Sequence, residues 1–256
     1  MVYNAHMNKN IIIALALVII IGAAFWLSGP KQSAVVPQPS QSPLQSSIVS
    51  IKDSSNKLYT IDAEYPQFVG VSAAFNSEIA DFVNGNISDF KQASAENWQA
   101  RENTLPAGEP KQEFPDQPFY FDSNWEPEQL NQNYISFVDR FYEFVGGANE
   151  NQNLKTFNYD VKNGSNVALV DLFPDVPDYL QKISDFVRSS LSSQLDAASN
   201  GNVQTDMLDQ GTEPTLDNFS NFVFNDSVVT FYFPKYQVAP GVFGEQSVPI
   251  QIAQIK

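Results

Sequence analysis

Residues 134–170 read YISFVDRFYEFVGGANENQNLKTFNYDVKNGSNVALV. Tyr134 to Val145 has the aromatic, β-branched makeup of a strand, and Gly146-Gly147 stops it. Leu154 to Val161 is a second strand. Asn163-Gly164 then favours the tight turn that returns a chain on itself, into Val167 to Val170. Strands joined by so few residues pair antiparallel, because a parallel return needs a crossover of a dozen residues or more.

Working outward, Lys57 to Tyr65 alternates apolar and polar residues as a half-buried strand does. Phe75, Ile79, Phe82, Val83, Ile87 and Phe90 recur every three or four residues, which is one face of a helix. Arg101 to Pro118 is proline-rich and reads as a loop, followed by a strand from Phe119 to Trp125. Downstream, Leu180, Ile183, Val187, Leu191 and Leu195 form the stripe of a second helix. Pro177 and Asp178 suit its first turn, where a missing N–H is harmless and a negative charge meets the helix dipole. A short helix is expected near Val203 to Leu208. Strands are expected at Asn218 to Phe224, Val228 to Phe233 and Ser247 to Ile255, the first two joined by a turn at Asn225-Asp226. The pattern predicts an α+β fold: antiparallel, hairpin-built sheets packed with two long helices.

The N-terminal part has a different character. Ile11 to Leu27 carries no charge, and with its flanks it approaches the roughly 20 residues a membrane-spanning helix needs. Trp26 suits an interfacial anchor. Bulky residues at Phe25-Trp26-Leu27 argue against peptidase cleavage, although a cleaved signal peptide with secretion is the rival reading. Residues 29–47, GPKQSAVVPQPSQSPLQSS, form a Pro/Ser-rich spacer that cannot build a core. The expected organisation is a cytoplasmic leader 1–10, a transmembrane signal anchor 11–28, a tether 29–47, an N-terminal α+β subdomain 48–118 and a C-terminal one 119–256. The expected location is the plasma membrane, single-pass, with the body outside the cytoplasm.

Composition excludes more than it assigns. The chain has 29 Asp+Glu against 14 Lys+Arg, a net charge of −15. Every acid follows the apolar run. A surface so negative repels phosphate, which argues against a nucleic-acid partner. Cysteine is absent and the single histidine is His6. Disulfides, thiol catalysis, thiolate metal sites and Ser-His-Asp chemistry are therefore closed to the body. No cofactor is expected.

Three strings carry a resemblance: Tyr142 to Asn149 (YEFVGGAN), Phe157 to Gly164 (FNYDVKNG) and Leu169 to Phe173 (LVDLF). They resemble a bacterial extracytoplasmic domain family. It is shared by RsiV-type anti-sigma factors and the N-terminal, non-catalytic part of PdaC-type peptidoglycan deacetylases. Val229 to Gly241 (VTFYFPKYQVAPG) is similar to the family's closing hairpin. Tyr59 to Phe68, with Phe75, Asn76 and Ile79, resembles the preceding subdomain. The family's usual His after Gly-Gly-Ala is Asn149 here. The resemblance implies a non-catalytic, sensor-like binding module, with lysozyme or cell-wall peptidoglycan as partner.

Candidate partner-binding residues follow from backbone freedom and aromatic content. Gly146 and Gly147, with Asn149 and Glu150, form a turn where backbone can approach a ligand closely. The loop Lys235 to Gly244 offers Tyr236 and Phe243 as aromatic anchors, of the kind that dominate interface energetics. The loop Arg101 to Asp116, flanked by Trp98 and Phe114, is a third candidate. The alternative is a cell-wall hydrolase using paired carboxylates, from Asp139, Glu143, Glu126 and Glu128. Asp139 and Glu143 lie on one strand face, about 13 Å apart at roughly 3.3 Å per residue, which is too wide for glycosidase chemistry. No metal site is expected. Asp206, Asp209 and Asp217 form no calcium loop, and Asp160, Asp171, Asp175 and Asp178 read as turn-capping acids.

Overall fold

A computed structural model describes residues 44–147, 149–199 and 205–256. The leader 1–10, the anchor 11–28 and most of the tether lie outside the described residues. Among the described residues no helix is long and apolar enough to cross a membrane.

The first sheet has six strands in sequence order: β1 (Ser46–Asp53), β2 (Tyr59–Phe68), β3 (Phe119–Leu130), β4 (Tyr134–Phe144), β5 (Asn151–Asp160) and the short β6 (Ser165–Asn166). β1 begins inside the stretch read as tether, so Ser46 and Ser47 are strand. Their neighbour Leu44 packs on the first core. Between β2 and β3 runs α1 (Ala73–Asn103), and this crossover makes β2 and β3 parallel, with Tyr59 opposite Phe119. The sheet is therefore mixed rather than wholly antiparallel. The reason is that a 31-residue helix, unlike a hairpin turn, lets the chain return in the same direction.

α1 starts where the Ser72 hydroxyl accepts from the Phe75 N–H at 3.2 Å, satisfying one of the donors a helix start leaves open. Its stripe Phe75, Ile79, Val83, Ile87 and Phe90 continues through Ser94 to Trp98, all buried. It covers the face of the sheet that presents Ile61, Phe119, Phe121, Ile135, Phe137, Phe141, Phe157 and Tyr159. Phe75 stacks on Tyr159 with centroids 4.3 Å apart, and the Tyr159 hydroxyl accepts from the Ser72 N–H. One core thus runs from Ile61 to Tyr159. The subdomain boundary expected at 118/119 falls inside this sheet, between β2 and its hydrogen-bonded neighbour β3.

The second core begins after β6. Asn163-Gly164 does turn the chain, with Gly164 at φ +68°. Val167 to Val170 does not extend the strand, however: Leu169–Leu172 is a 3-10 turn, whose Asp171 carboxylate accepts from the Ala168 N–H at 2.8 Å. α2 (Tyr179–Ser199) and α3 (Thr205–Gly211) then pack on a three-stranded antiparallel sheet. Its strands are β7 (Phe222–Phe224), β8 (Val228–Phe233) and β9 (Gln246–Gln251). Ile183, Val187, Leu191 and Leu195 of α2 meet Phe222, Phe224, Phe231, Phe233, Val248 and Ile250 there. The final residues depart from the strand expected to Ile255: Ile252–Ile255 is a helical turn, α4, whose Ile255 returns to the core.

Side chains join the two sheets. The Asn158 side chain donates to Phe222 O at 2.7 Å, Ser136 Oγ donates to Asn158 Oδ1 at 2.7 Å, and the Phe224 N–H donates to Ser136 Oγ at 2.8 Å. Ser136 and Asn158 are buried, and the partners they give each other remove the cost of burying them. Nearby, Arg140 of β4 grips Glu245, the residue just before β9, through Nε (3.1 Å) and Nη2 (3.0 Å), donates through Nη1 to Glu126 at 2.8 Å and lies 4.8 Å over the Tyr232 ring.

Candidate functional site

The groove at the C-terminal end of α1 gathers three separate stretches of chain. Asn97, Trp98 and Arg101 come from α1, Pro115, Asp116 and Gln117 from the proline-rich loop, and Phe119, Phe144, Val145, Gly146 and Gly147 from the ends of β3 and β4. It encloses about 550 Å³, within the range of small-ligand sites. Trp98 is 8% exposed and forms an aromatic wall with Phe119, whose ring it meets edge-on at 6.5 Å. Phe144 extends that wall, 6.1 Å from Phe119.

Local chemistry fixes these parts. α1 ends at Asn103, and the loop that follows is held back against it. Trp98 Nε1 donates to Glu113 O at 3.2 Å, and the Gln112 N–H donates to Glu102 Oε2 at 2.9 Å. Asn97 Nδ2 donates to Val145 O at 3.1 Å, tying helix to strand end. Gly146, at φ +87°, could not carry a side chain without strain. A Cβ there would also stand 3.3 Å from the Phe119 ring. Gly147, at φ +122°, has nothing within 4 Å of where a Cβ would be, so backbone rather than side chain faces the groove's rim.

The other candidates lie elsewhere, and two loops read separately come together. Asn149 and Glu150 are exposed beyond the glycines. The Glu150 carboxylate accepts from the Tyr120 hydroxyl. That bond, with Tyr120's burial and the negative charge beside it, pushes the phenol up to about 12. Lys235 Nζ donates to Glu150 O at 3.4 Å, which brings the 235–244 loop against the 146–150 turn. Tyr236 stands at φ +75° and is 61% exposed. Its ring occupies the space above Gly241, where a Cβ would meet it at 2.2 Å. Phe243 is half-buried against the second core, closing its end rather than facing out. Val242 beside it is 88% exposed.

None of the four candidate acids lines the groove. Asp139 is fully buried, with Ser123 Oγ donating to Oδ1 at 2.8 Å and Oδ2 left without a partner. Desolvation pushes its carboxyl up to about 7 against the pull of the Ser123 hydrogen bond. Glu126 pairs with Arg140, Glu128 accepts from the Asn225 amide, and Glu143 accepts from Asn151 Nδ2 at 3.4 Å. Of the other acids, Asp209 pairs with Arg188 and Asp160 accepts from Asn163 in the hairpin turn. Among the described residues no group of acids is placed to hold a metal ion. Asn97 and the Arg140–Glu245 pair carried no signal in the sequence, since each depends on a partner far along the chain.

Comparison with known proteins divides the chain in two. Residues 52–152 match the family model described as Deacetylase PdaC, and residues 170–253 match a family of unknown function, DUF3298. The peptidoglycan-N-acetylmuramic acid deacetylase PdaC of Bacillus subtilis (strain 168) is 34% identical over 122 residues, 48% of this chain. The match spans only 25% of that protein's own length. Among solved structures, a DUF3298 family member from Bacteroides fragilis NCTC 9343 superposes with a TM-score of 0.51 at 15% identity, covering 83% of this chain and 97% of that one. Another from Pseudomonas aeruginosa PAO1 gives 0.53 at 12% identity, covering 84% and 94%. Those identities speak for the fold alone. The chain is thus similar to the PdaC-type region over its six-stranded sheet and to DUF3298 over its second core.

Proposed function

We propose that this chain is a non-catalytic, extracytoplasmic module that docks cell-wall glycan in the groove between α1 and the ends of β3 and β4. The observation that carries the reading is the groove itself: an aromatic wall, a glycine rim and polar side chains from three stretches of chain meet around about 550 Å³. Sugars are bound in this way, apolar ring faces against aromatics and hydroxyls against backbone and amide groups. The matched relative's name connects that protein to peptidoglycan. The candidate acids, buried or already engaged, offer no assembled site for hydrolysis. Residues 11–28 would hold the module at the membrane. The test is retention of the full-length chain, in mild detergent, on purified peptidoglycan. Retention that drops at least tenfold on Phe144→Ala supports the reading, and wild-type protein that washes through refutes it.

A second reading, recognition of a cationic wall-acting protein such as lysozyme, draws on the surface beside Glu150. Asp62, Asp122 and Glu150 stand close enough there that burial and the other two charges raise Asp122 above the usual carboxylate range. Exposed Tyr236 flanks them across the Lys235 contact. Complementary charge speeds such encounters and makes them sensitive to salt. Lysozyme retained at low salt and released at high salt, with loss on Tyr236→Ala, supports this reading; no retention at low salt removes it.

A further inference from the structure

The chain has three arginines, at positions 101, 140 and 188. Arg140 pairs with Glu126 and Glu245, and Arg188 with Asp209. Among the described residues Arg101 has no carboxylate partner, although the protein carries twice as many acids as bases. Its nearest neighbour in sequence, Glu102, is taken by the Gln112 N–H at 2.9 Å. Asp116, the acid that lines the groove, makes no ion pair with it. The Arg101 guanidinium instead lies 4.7 Å over the Trp98 ring, at the groove's wall.

That placement has a chemical consequence. Cation–π attraction to the indole face keeps the guanidinium at the groove wall, where no carboxylate of the described residues engages its donors. An arginine edge is matched in geometry to a carboxylate, which it binds by two parallel hydrogen bonds. The surrounding protein is strongly negative, so an acidic ligand would be repelled almost everywhere else on the surface.

We infer that Arg101 is a specificity-determining residue that reads a carboxylate on the bound glycan, so that the groove prefers acidic sugars over neutral ones. This rests on the glycan-docking reading above. Two sources share the chemistry: the free lactyl carboxylate of muramic acid in peptide-free wall glycan, and the ring carboxylate of uronic acid polymers. Asp116 opposes the preference, which sets a second handle on it.

The test is calorimetric titration of the full-length chain, in mild detergent, with three probes. They are chitotetraose, a peptide-free tetrasaccharide of alternating N-acetylglucosamine and N-acetylmuramic acid, and tetraglucuronate. The inference expects at least one acidic probe to bind about tenfold more tightly than chitotetraose, the equivalent of about 1.4 kcal/mol. Whichever acidic probe binds more tightly identifies the source. Arg101→Gln should bring the affinity for the acidic probes down to that for chitotetraose, Arg101→Lys should restore part of the preference, and Asp116→Asn should enlarge it. Equal affinity for all three probes, or a preference that survives Arg101→Gln, overturns the inference and leaves glycan docking intact. Failure of every probe to bind overturns both.

Discussion

Ser123 donates a 2.8 Å hydrogen bond to Oδ1 of Asp139, while Oδ2, on the α1-facing side of β4, has no hydrogen-bond partner. The residue opposite Asp139 in the ladder is Lys155, a ready counter-charge by sequence. Its ammonium points instead to Glu78 on α1, 3.1 Å away, and lies over the rings of Phe82 and Phe157. The carboxyl is left to meet burial with one hydroxyl for company, and its proton is held up to about pH 7.

The pH dependence of stability follows from that arrangement. The folded state holds the Asp139 proton more tightly than the unfolded chain, whose aspartates titrate near 3.8. Its contribution to stability is therefore fully present below pH 4, is lost progressively between about pH 4 and 7, and is absent above. Asp139→Asn keeps the shape without the charge. It should raise the unfolding free energy at pH 8 by roughly 2–4 kcal/mol, with the gain vanishing near pH 4. Urea unfolding across that range measures it, and a gain independent of pH would sink the explanation.

Ser123→Ala makes the converse case. Removing the single donor should cost about 1–2 kcal/mol at pH 8, where the carboxylate needs it. Below pH 4, where the acid is neutral and the lost donor no longer stabilises a buried charge, the loss should shrink. A cost that is flat with pH would point to packing alone.

Gly146→Ala places a Cβ against Phe119 at a backbone angle that L-residues avoid. The expected loss is about 1–3 kcal/mol of stability, together with weaker retention on peptidoglycan because the Phe119 wall must shift. Gly241→Ala has no such backbone penalty. It should instead dislodge the Tyr236 ring, seen as a change in Tyr236 side-chain NMR shifts with little change in unfolding midpoint.

The Arg140–Glu245 pair can be tested by a cycle. Both side chains are only 14% exposed, so Arg140→Met alone should cost about 3–5 kcal/mol by leaving a buried carboxylate unpaired. Adding Glu245→Leu should recover most of that loss, since well-packed apolar replacements often equal a buried ion pair. No recovery in the double variant would mean that Glu126 and Tyr232, also in contact with Arg140, carry the interaction.

Tyr120 should be among the last tyrosines to ionise when the protein is titrated spectrophotometrically toward high pH, near 12. Glu150→Ala removes the acceptor and the negative charge, and should move that phenol back toward the usual range.

Much of the architecture was legible because periodicity survives in local sequence. The stripe Phe75, Ile79, Val83, Ile87 and Phe90 predicts the helix that forms, and Val228 to Phe233 alternates as the observed strand β8 does. What escaped depends on contacts between distant residues. β1 is an edge strand with mostly exposed side chains, so little apolar alternation marks it. The parallel pairing of β2 with β3 follows from where α1 deposits the chain, not from either strand. Helix α1 runs on to Asn103, beyond the apolar stripe that ends at Phe90, and the polar Ser94 on its buried face hides the continuation to Trp98. At the site, the two glycines and Trp98 were readable as candidates. Their meeting with Phe144 and Arg101 was not, because the groove is made by the proline-rich loop folding back onto the helix.

The region matched to the PdaC model stops at residue 152, yet β5 runs from Asn151 to Asp160 and supplies Phe157 and Tyr159 to the first core. A chain cut at that boundary would bare the whole flank of β4, an uncapped row of amides and carbonyls next to a breached core. Such a flank pairs readily with other chains. Two regions that are recognisable apart therefore share one physical seam, and a break there would yield a fragment prone to clump.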